Sequence, residues 1–212
     1  PVLLKLEGRH CVVVGGGKVA LRKTRGLLEA GAKVSIISPQ FDADLIALAR
    51  EGHIELLTGE YAAGMLAQLR PLLVFAATNC TAVNRLVVEE AQTLNVLADA
   101  VDDSSDSDFT NMAVLRRGAI TIGISTHGAS PALSAHLKEV VARAVGEEYA
   151  TLVWWLGEYR TVAQQQIGSE NVRTAFWRAV LNSTILEQLR DGDETQARAT
   201  LDALWSEAGQ AR

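Results

Sequence analysis

Gly15, Gly16 and Gly17 follow the run Cys11-Val12-Val13-Val14, and a helical pattern starts directly after them at Lys18-Val19-Ala20. Consecutive valines read as a strand buried on both faces. In such a turn the first glycine lets the chain bend sharply, and a later one lets a ligand reach the backbone with no Cβ in the way. A small residue such as Ala20 lets helix and strand pack closely. The helix start presents unpaired N–H groups and the positive end of its dipole toward the glycines. The chemistry available is the grip of a pyrophosphate, which makes Gly15, Gly16, Gly17, Lys18 and Val19 candidate cofactor contacts. The same spacing also serves a plain structural turn, so the glycines alone leave the function open.

Two further polar groups stand at the ends of strand-like runs, where an open parallel sheet places its ligands. Ser38-Pro39-Gln40 closes one run, and Thr78-Asn79 closes another. A carboxylate commonly stands at the first of these places to grip a ribose 2′-OH. Here Ser38, Pro39 and Gln40, or their backbone groups, take that position, and no arginine follows directly to meet a 2′-phosphate. That favours NAD over NADP.

The elements that must position these groups alternate regularly over the first hundred residues. Strands are expected at 12–14, 33–38, 54–57, 72–77 and 95–101, and helices at 18–30, 41–50, 61–69 and 83–93. Val19, Leu27 and Leu28 fall on the apolar positions of the first helix, Gly31 stops it, and Thr81 is placed to cap the fourth. Alternation of this kind predicts an α/β fold, a Rossmann-type doubly wound parallel sheet. The pattern then changes. Asp102 to Asp108 is a polar, acidic loop. Two β-rich runs, 110–115 and 119–125, flank a turn at Arg116-Arg117-Gly118, which predicts an antiparallel hairpin. Ser130 caps and Pro131 opens a helix reaching Val145. The remainder is helical, divided near Gly168-Ser169 and Asp191-Gly192-Asp193, with Trp154, Trp155, Phe176, Trp177 and Trp205 among its apolar residues. The expected modules are a nucleotide-binding sheet over 1–110, a hairpin-plus-helix over 111–146 and a helical domain over 147–212. The middle one is too small to fold alone and should pack on another module or on a second subunit.

Composition sets limits on partners. The chain of 212 residues is 48% hydrophobic with a net charge of −5, which argues against a general nucleic-acid binder. No apolar run is long enough to span a bilayer and no signal peptide is visible, so a cytoplasmic protein is expected. Pro1 is no natural initiator, so a processed or trimmed chain is expected. Cys11 and Cys80 stand in apolar surroundings and are expected as buried free thiols. His10 and His53 read as structural; His127 and His136 do not have zinc-ligand spacing.

The run from Val12 to Ala20, then Arg22-Lys23 and Leu27-Leu28-Glu29-Ala30-Gly31-Ala32, resembles the start of the dehydrogenase module of sirohaem synthase. Further pieces agree in order: Ala76-Ala77-Thr78-Asn79 with Val83-Asn84, Val101-Asp102, Phe109, and Ser125-Thr126-His127-Gly128-Ala129-Ser130-Pro131. The resemblance runs through Phe176-Trp177 in the helical tail and so covers nearly the whole chain. That family comprises precorrin-2 dehydrogenases, some of which are also sirohydrochlorin ferrochelatases. The resemblance implies NAD-dependent oxidation of precorrin-2 to sirohydrochlorin. Fe²⁺ or Co²⁺ would be the co-substrate if this chain also inserts metal. It further implies a homodimer, with a Rossmann domain, a small α+β dimerisation module at 111–146 and a C-terminal helical domain. The methyltransferase domain of some members is not among these residues, so this chain is not expected to make its own precorrin-2. Two departures stand out: His127 occupies a position that is often glycine, and Thr126 one that is serine in some relatives.

Hydride transfer needs positioning more than reactive side chains, because the cofactor carries the chemistry. A proton must also leave the macrocycle. Asp102 follows a buried strand at the sheet's carboxyl edge, where the family places its functional aspartate, and is the candidate catalytic base. Read without the resemblance it is a solvated loop aspartate, and Asp103, Asp106 and Asp108 read as solvated charges or as caps for local turns. The implied substrate carries many carboxylates, so an acidic protein needs local cations and donors to hold it. Arg116, Arg117, Thr126, His127 and Ser130 are the candidate substrate contacts, with Lys138 and Arg143 as further cations. Two other readings remain: a non-catalytic NAD-binding sensor, and a chelatase with vestigial NAD binding.

Overall fold

The structure is a computed structural model that describes residues 2–101 and 107–210. It divides into two compact units, Pro1–Asn111 and Met112–Arg212.

The first unit is a five-stranded parallel sheet with helices on both faces. Its strands are β1 (His10–Val14), β2 (Lys33–Ser38), β3 (Ile54–Thr58), β4 (Leu73–Ala76) and β5 (Leu97–Ala100), in the spatial order β3-β2-β1-β4-β5. The connecting helices are α1 (Lys18–Glu29), α2 (Ala43–Arg50), α3 (Met65–Leu69) and α4 (Thr81–Thr93). Side chains alternate between the faces of each strand. Cys11, Val13, Val34, Ile36 and Phe75 join one core with Leu21, Leu27 and Leu45. Val12, Val14, Ile37, Val74 and Ala76 join the other with Leu66, Val87 and Ala91. Central β1 is thus buried on both sides, which is why it reads as unbroken apolar sequence.

Polar ties fix the sheet's edges. His10 approaches the Leu69 carbonyl at 3.0 Å through Nδ1 and the Ser35 hydroxyl at 2.8 Å through Nε2, so it is structural as expected. His53, expected as structural, is exposed and lies 3.4 Å from Glu51. Lys23 of α1 donates to Asp99 of β5 at 2.6 Å and lies 4.6 Å from the Phe75 ring centroid, a largely buried ion pair. After the undescribed residues the chain is tied back to β5. The Asp108 N–H donates to the Ala98 carbonyl at 2.8 Å, and the Asp108 carboxylate accepts from the Ala98 N–H at 2.9 Å. Asp108 is exposed, and it also anchors the chain to β5.

The second unit holds the hairpin β6 (Ala113–Arg117) and β7 (Ile120–Ile124), then α5 (Pro131–Ala144), α6 (Glu148–Gln166), α7 (Glu170–Leu181), α8 (Ile185–Arg190) and α9 (Glu194–Gln210). Leu152, Trp155, Phe176, Val180, Ile185 and Leu201 form the core of its helices. Around Phe176, Tyr159 and Trp205 pack with ring centroids 5.3–6.2 Å apart.

Several expectations shift. Arg116 and Arg117 belong to β6, so the hairpin turns one step later, at Gly118 with φ +53°. The third helix spans only Met65–Leu69, because Gly64 at φ +96° precedes it in the left-handed region. Thr81 is the first residue of α4 rather than its cap; Cys80 holds the cap position without a side-chain bond. Cys11 is buried but Cys80 is exposed. The helical tail also breaks at 182–184, where Asn182-Ser183-Thr184 separates α7 from α8.

Candidate functional site

A cleft of about 960 Å³ opens at the carboxyl ends of β1 and β4. This is where strand order reverses direction, the place at which such sheets bind ligands. Its floor is the turn after β1. Gly15 has φ +123°, and a Cβ there would collide with the Ala77 carbonyl. A Cβ on Gly16 would collide with the Gln40 carbonyl. The Asp42 N–H donates to the Gly16 carbonyl at 2.7 Å, so this turn and the loop after β2 are locked together. Gly17 differs: its φ of −91° is ordinary, and a Cβ would meet nothing within 4 Å. It faces open space at the start of α1 and offers no side-chain cap. The first-turn N–H groups of α1 therefore lack an intrahelical partner and stand beside a surface free of side chains.

The walls come from three loops. On one side are Ser38, Pro39 and Gln40. The Ser38 hydroxyl donates to the Gln40 carbonyl at 2.7 Å, so its hydrogen already shapes the loop. On the other side Thr78, Asn79 and Cys80 line the cleft. Thr78 is gripped by Asn84, a buried α4 residue that accepts from both its N–H and its hydroxyl. Asp42, Glu60 and Tyr61 complete the lining. The Tyr61 hydroxyl donates to Glu90 at 2.6 Å, and Glu90 also accepts from the N–H groups of Gly64 at 2.9 Å and Ala67 at 3.2 Å. Burial, then the bond to Glu90, pushes the Tyr61 phenol far above its usual range. Burial tends to raise the Glu90 carboxyl, but its bonds from Tyr61 and the loop N–H groups outweigh that and hold it low.

The structure thus brings together Gly15, Gly16, Gly17, Lys18, Val19, Ser38, Pro39, Gln40, Thr78 and Asn79 around one cleft. Val19 is partly exposed, as a cleft residue must be, instead of facing the core. Asp102 lies outside the described residues. In the second unit, Thr126, His127 and Ser130 share one turn. The Ser130 N–H donates to the Thr126 hydroxyl at 3.1 Å, and the Ser130 hydroxyl caps α5 by accepting from the Leu133 N–H at 3.2 Å. His127 has φ +50°, a left-handed conformation that glycine adopts without strain. Arg117 is engaged structurally: its Nε lies 3.1 Å from the Val145 carbonyl and 3.3 Å from Glu147. Arg116 is exposed on the same strand. No cluster of three or more histidine, cysteine or acidic side chains able to hold a metal occurs among the described residues. Among them, too, no helix is long and apolar enough to cross a membrane.

Residue type alone does not mark Tyr61 or Glu90 as site residues. For Asn84 the signal is an asparagine inside a strongly helical run, a poor fit unless partnered.

A family model described as "Putative NAD(P)-binding" matches residues 2–113, and one described as "Sirohaem synthase dimerisation region" matches residues 148–204. The latter falls on α6–α9. The siroheme synthase of Chromobacterium violaceum is 32% identical over 202 residues, covering 95% of this chain and 43% of the relative. That of Gluconacetobacter diazotrophicus is 35% identical over 206 residues, covering 96% and 44%. The chain spans less than half the length of these curated relatives. A solved structure described as "SirC, precorrin-2 dehydrogenase" superposes with a TM-score of 0.78 at 25% identity, covering 97% of this chain and 98% of that one. With a glycine turn shaped for a dinucleotide at the sheet's reversal point and likeness through both units, the chain belongs to the NAD(P)-binding family of sirohaem synthases and precorrin-2 dehydrogenases.

Proposed function

We propose that this chain oxidises precorrin-2 to sirohydrochlorin with NAD⁺ as hydride acceptor. The observation that carries the reading is the open Gly17 surface at the head of α1, within a chain that matches a precorrin-2 dehydrogenase over almost its full length. The bound nicotinamide supplies the hydride acceptor. The chain's own part is to hold and orient. Gly15 and Gly16 shape the turn, Gly17 admits the pyrophosphate, and the N–H groups of Lys18 and Val19 meet its charge. The Gln40 loop takes the adenosine ribose. A 2′-phosphate there would find no arginine and would share the cleft with Asp42 and Glu60, which favours NAD over NADP. Thr78 and Asn79 stand at the β4 end, suited to the nicotinamide side. Removing hydride from the macrocycle also releases a proton, and Asp102 is assigned to accept it. Arg116, Thr126, His127 and Ser130 are assigned to the macrocycle's carboxylates.

A homodimer belongs to the same proposal. Leu133, Leu137 and Val140 follow one another at helical spacing along α5 and are 48%, 37% and 40% exposed. An apolar stripe of that kind suits a subunit contact. Sedimentation of wild type and Leu137→Asp, with a dimer converted to monomer, is the expected result.

The decisive assay is anaerobic. Protein, freshly generated precorrin-2 and NAD⁺ are mixed, and NADH and the tetrapyrrole spectrum are followed together. Matched formation of NADH and sirohydrochlorin is expected. NAD⁺ binding with no product would leave a nucleotide sensor in place of an enzyme. Addition of Fe²⁺ or Co²⁺ afterwards reads metal insertion separately.

A further inference from the structure

The helical unit contains a second cavity, of about 460 Å³, between α6 and α7. Its apolar lining includes Leu156, Trp177 and Leu181, and its cationic groups are Arg160 and Arg173. Glu170 is the one acid lining it, so the two guanidinium groups leave a net positive charge on a chain that is negative overall. Two other arginines of this unit are paired, Arg190 with Glu148 at 2.8 Å and Arg198 with Glu158 at 3.2 Å. Arg160 has no such partner among the described residues. Arg173 is held in place by donating from Nη1 to the carbonyls of Ile167 and Gly168, which end α6. One fixed and one unpaired guanidinium therefore stand beside an indole that is only half-buried, with Leu181 left 58% exposed at the edge.

We infer that this cavity binds a flat ring bearing carboxylates, of one or two rings in size. The volume lies within the range of small-molecule sites. Guanidinium groups match carboxylates in plane and charge, and an indole with leucines takes up the ring. Neither group alone selects this class. An apolar cavity would take neutral hydrocarbons, and a bare arginine pair would take any anion. Two sources share the chemistry: a free aromatic acid, or one edge of a larger polycarboxylate ring such as a tetrapyrrole. It shares no lining residue with the nucleotide cleft and does not depend on the dehydrogenase reading.

The test is calorimetric titration of the intact protein with naphthalene-2-carboxylate, with naphthalene-2-methanol as the uncharged match and citrate as the ringless one. One naphthoate per chain is expected, with both controls binding at least tenfold more weakly. Arg160→Gln, at an exposed position, is expected to weaken naphthoate at least fivefold and to leave NAD⁺ binding unchanged. Thr174→Trp, exposed on the cavity wall, is expected to abolish binding by filling the space, with thermal unfolding confirming that both variants fold. Uroporphyrin is then added as competitor. Displacement of naphthoate assigns the site to an edge of a large ring, and coexistence assigns it to a free aromatic acid. Either outcome supports the site. No naphthoate binding, equal binding of the neutral match, or unchanged affinity in Arg160→Gln overturns it. Loss of the dimer in Arg160→Gln without a change in naphthoate affinity overturns it too, and assigns the cavity to the subunit contact.

Discussion

Asn84 Oδ1 accepts from the Thr78 N–H at 3.1 Å and from the Thr78 hydroxyl at 2.7 Å, while the Asn84 amide donates back to the Thr78 carbonyl at 3.1 Å. One side chain of α4 thus fixes the backbone at the end of β4, on the wall of the nucleotide cleft. Asn84 is 1% exposed, so its bonds to Thr78 are made from inside the fold. Asn84→Ala is expected to cost about 1–3 kcal/mol, the usual range for stranding buried polar groups. NAD⁺ affinity should fall with it, since Thr78 is released. Asn84→Ala with full stability in urea would show that the turn holds itself.

Gly16 and Gly17 adjoin in sequence but answer differently to a methyl group. At Gly16 a Cβ meets the Gln40 carbonyl, so Gly16→Ala must push apart the two loops that the Asp42-to-Gly16 bond ties together. Lower thermal stability and lower NAD⁺ affinity are both expected. At Gly17 there is room and an ordinary φ, so Gly17→Ala should keep its melting temperature. Its NAD⁺ affinity should still fall tenfold or more, because the methyl occupies the surface offered to the pyrophosphate. Equal affinity in Gly17→Ala and wild type would move the pyrophosphate elsewhere.

The contrast shows what sequence carries and what it does not. The valine run, the glycines and the alternation of strands with helices announce the sheet, because each is a local pattern tied to a backbone requirement. The cleft's main contacts follow, since strand ends in such a sheet converge by topology. Tyr61 and Glu90 were invisible because they are 29 positions apart and meet only when α3 and α4 pack. The apolar run at 61–69 predicts a longer helix than α3 for the same reason: Gly64 and the Glu90 carboxylate, not helical periodicity, settle the chain between 61 and 67. Arg116 and Arg117 looked like turn residues because they precede Gly118, but the strand pairing of Arg116 with Thr121 and Arg117 with Ile120 carries the ladder past them.

The Tyr61–Glu90 bond gives stability a pH dependence at both ends. Glu90 is held below its usual value in the fold, so its contribution is present above the unfolded carboxyl value of about 4.3. That contribution is lost as pH falls through the lower folded value. Tyr61 is raised, so its contribution is complete below the unfolded phenol value of about 10 and is lost as pH rises past it. Glu90→Gln should flatten the acid limb of a plot of unfolding free energy against pH, and Tyr61→Phe the alkaline limb. An alkaline limb unchanged in Tyr61→Phe would assign that limb to other groups.

Cys80 offers a direct reading of cleft occupancy. It lines the nucleotide cleft and is exposed, whereas Cys11 is buried in β1, with burial outweighing the nearby Arg9 to push its thiol up to about 11. The thiolate is the reactive form, so Cys11 is doubly protected. A thiol reagent at pH 8 should therefore label one cysteine in the native protein and two in denaturant. Because Cys80 stands beside Thr78 and Asn79, NAD⁺ filling the cleft should slow native labelling in proportion to saturation. The midpoint of that protection gives an affinity that can be set against direct binding. NADP⁺ titrated the same way tests the cofactor preference: protection at the same midpoint would remove the argument from the missing arginine, and a midpoint tenfold or more higher would support it.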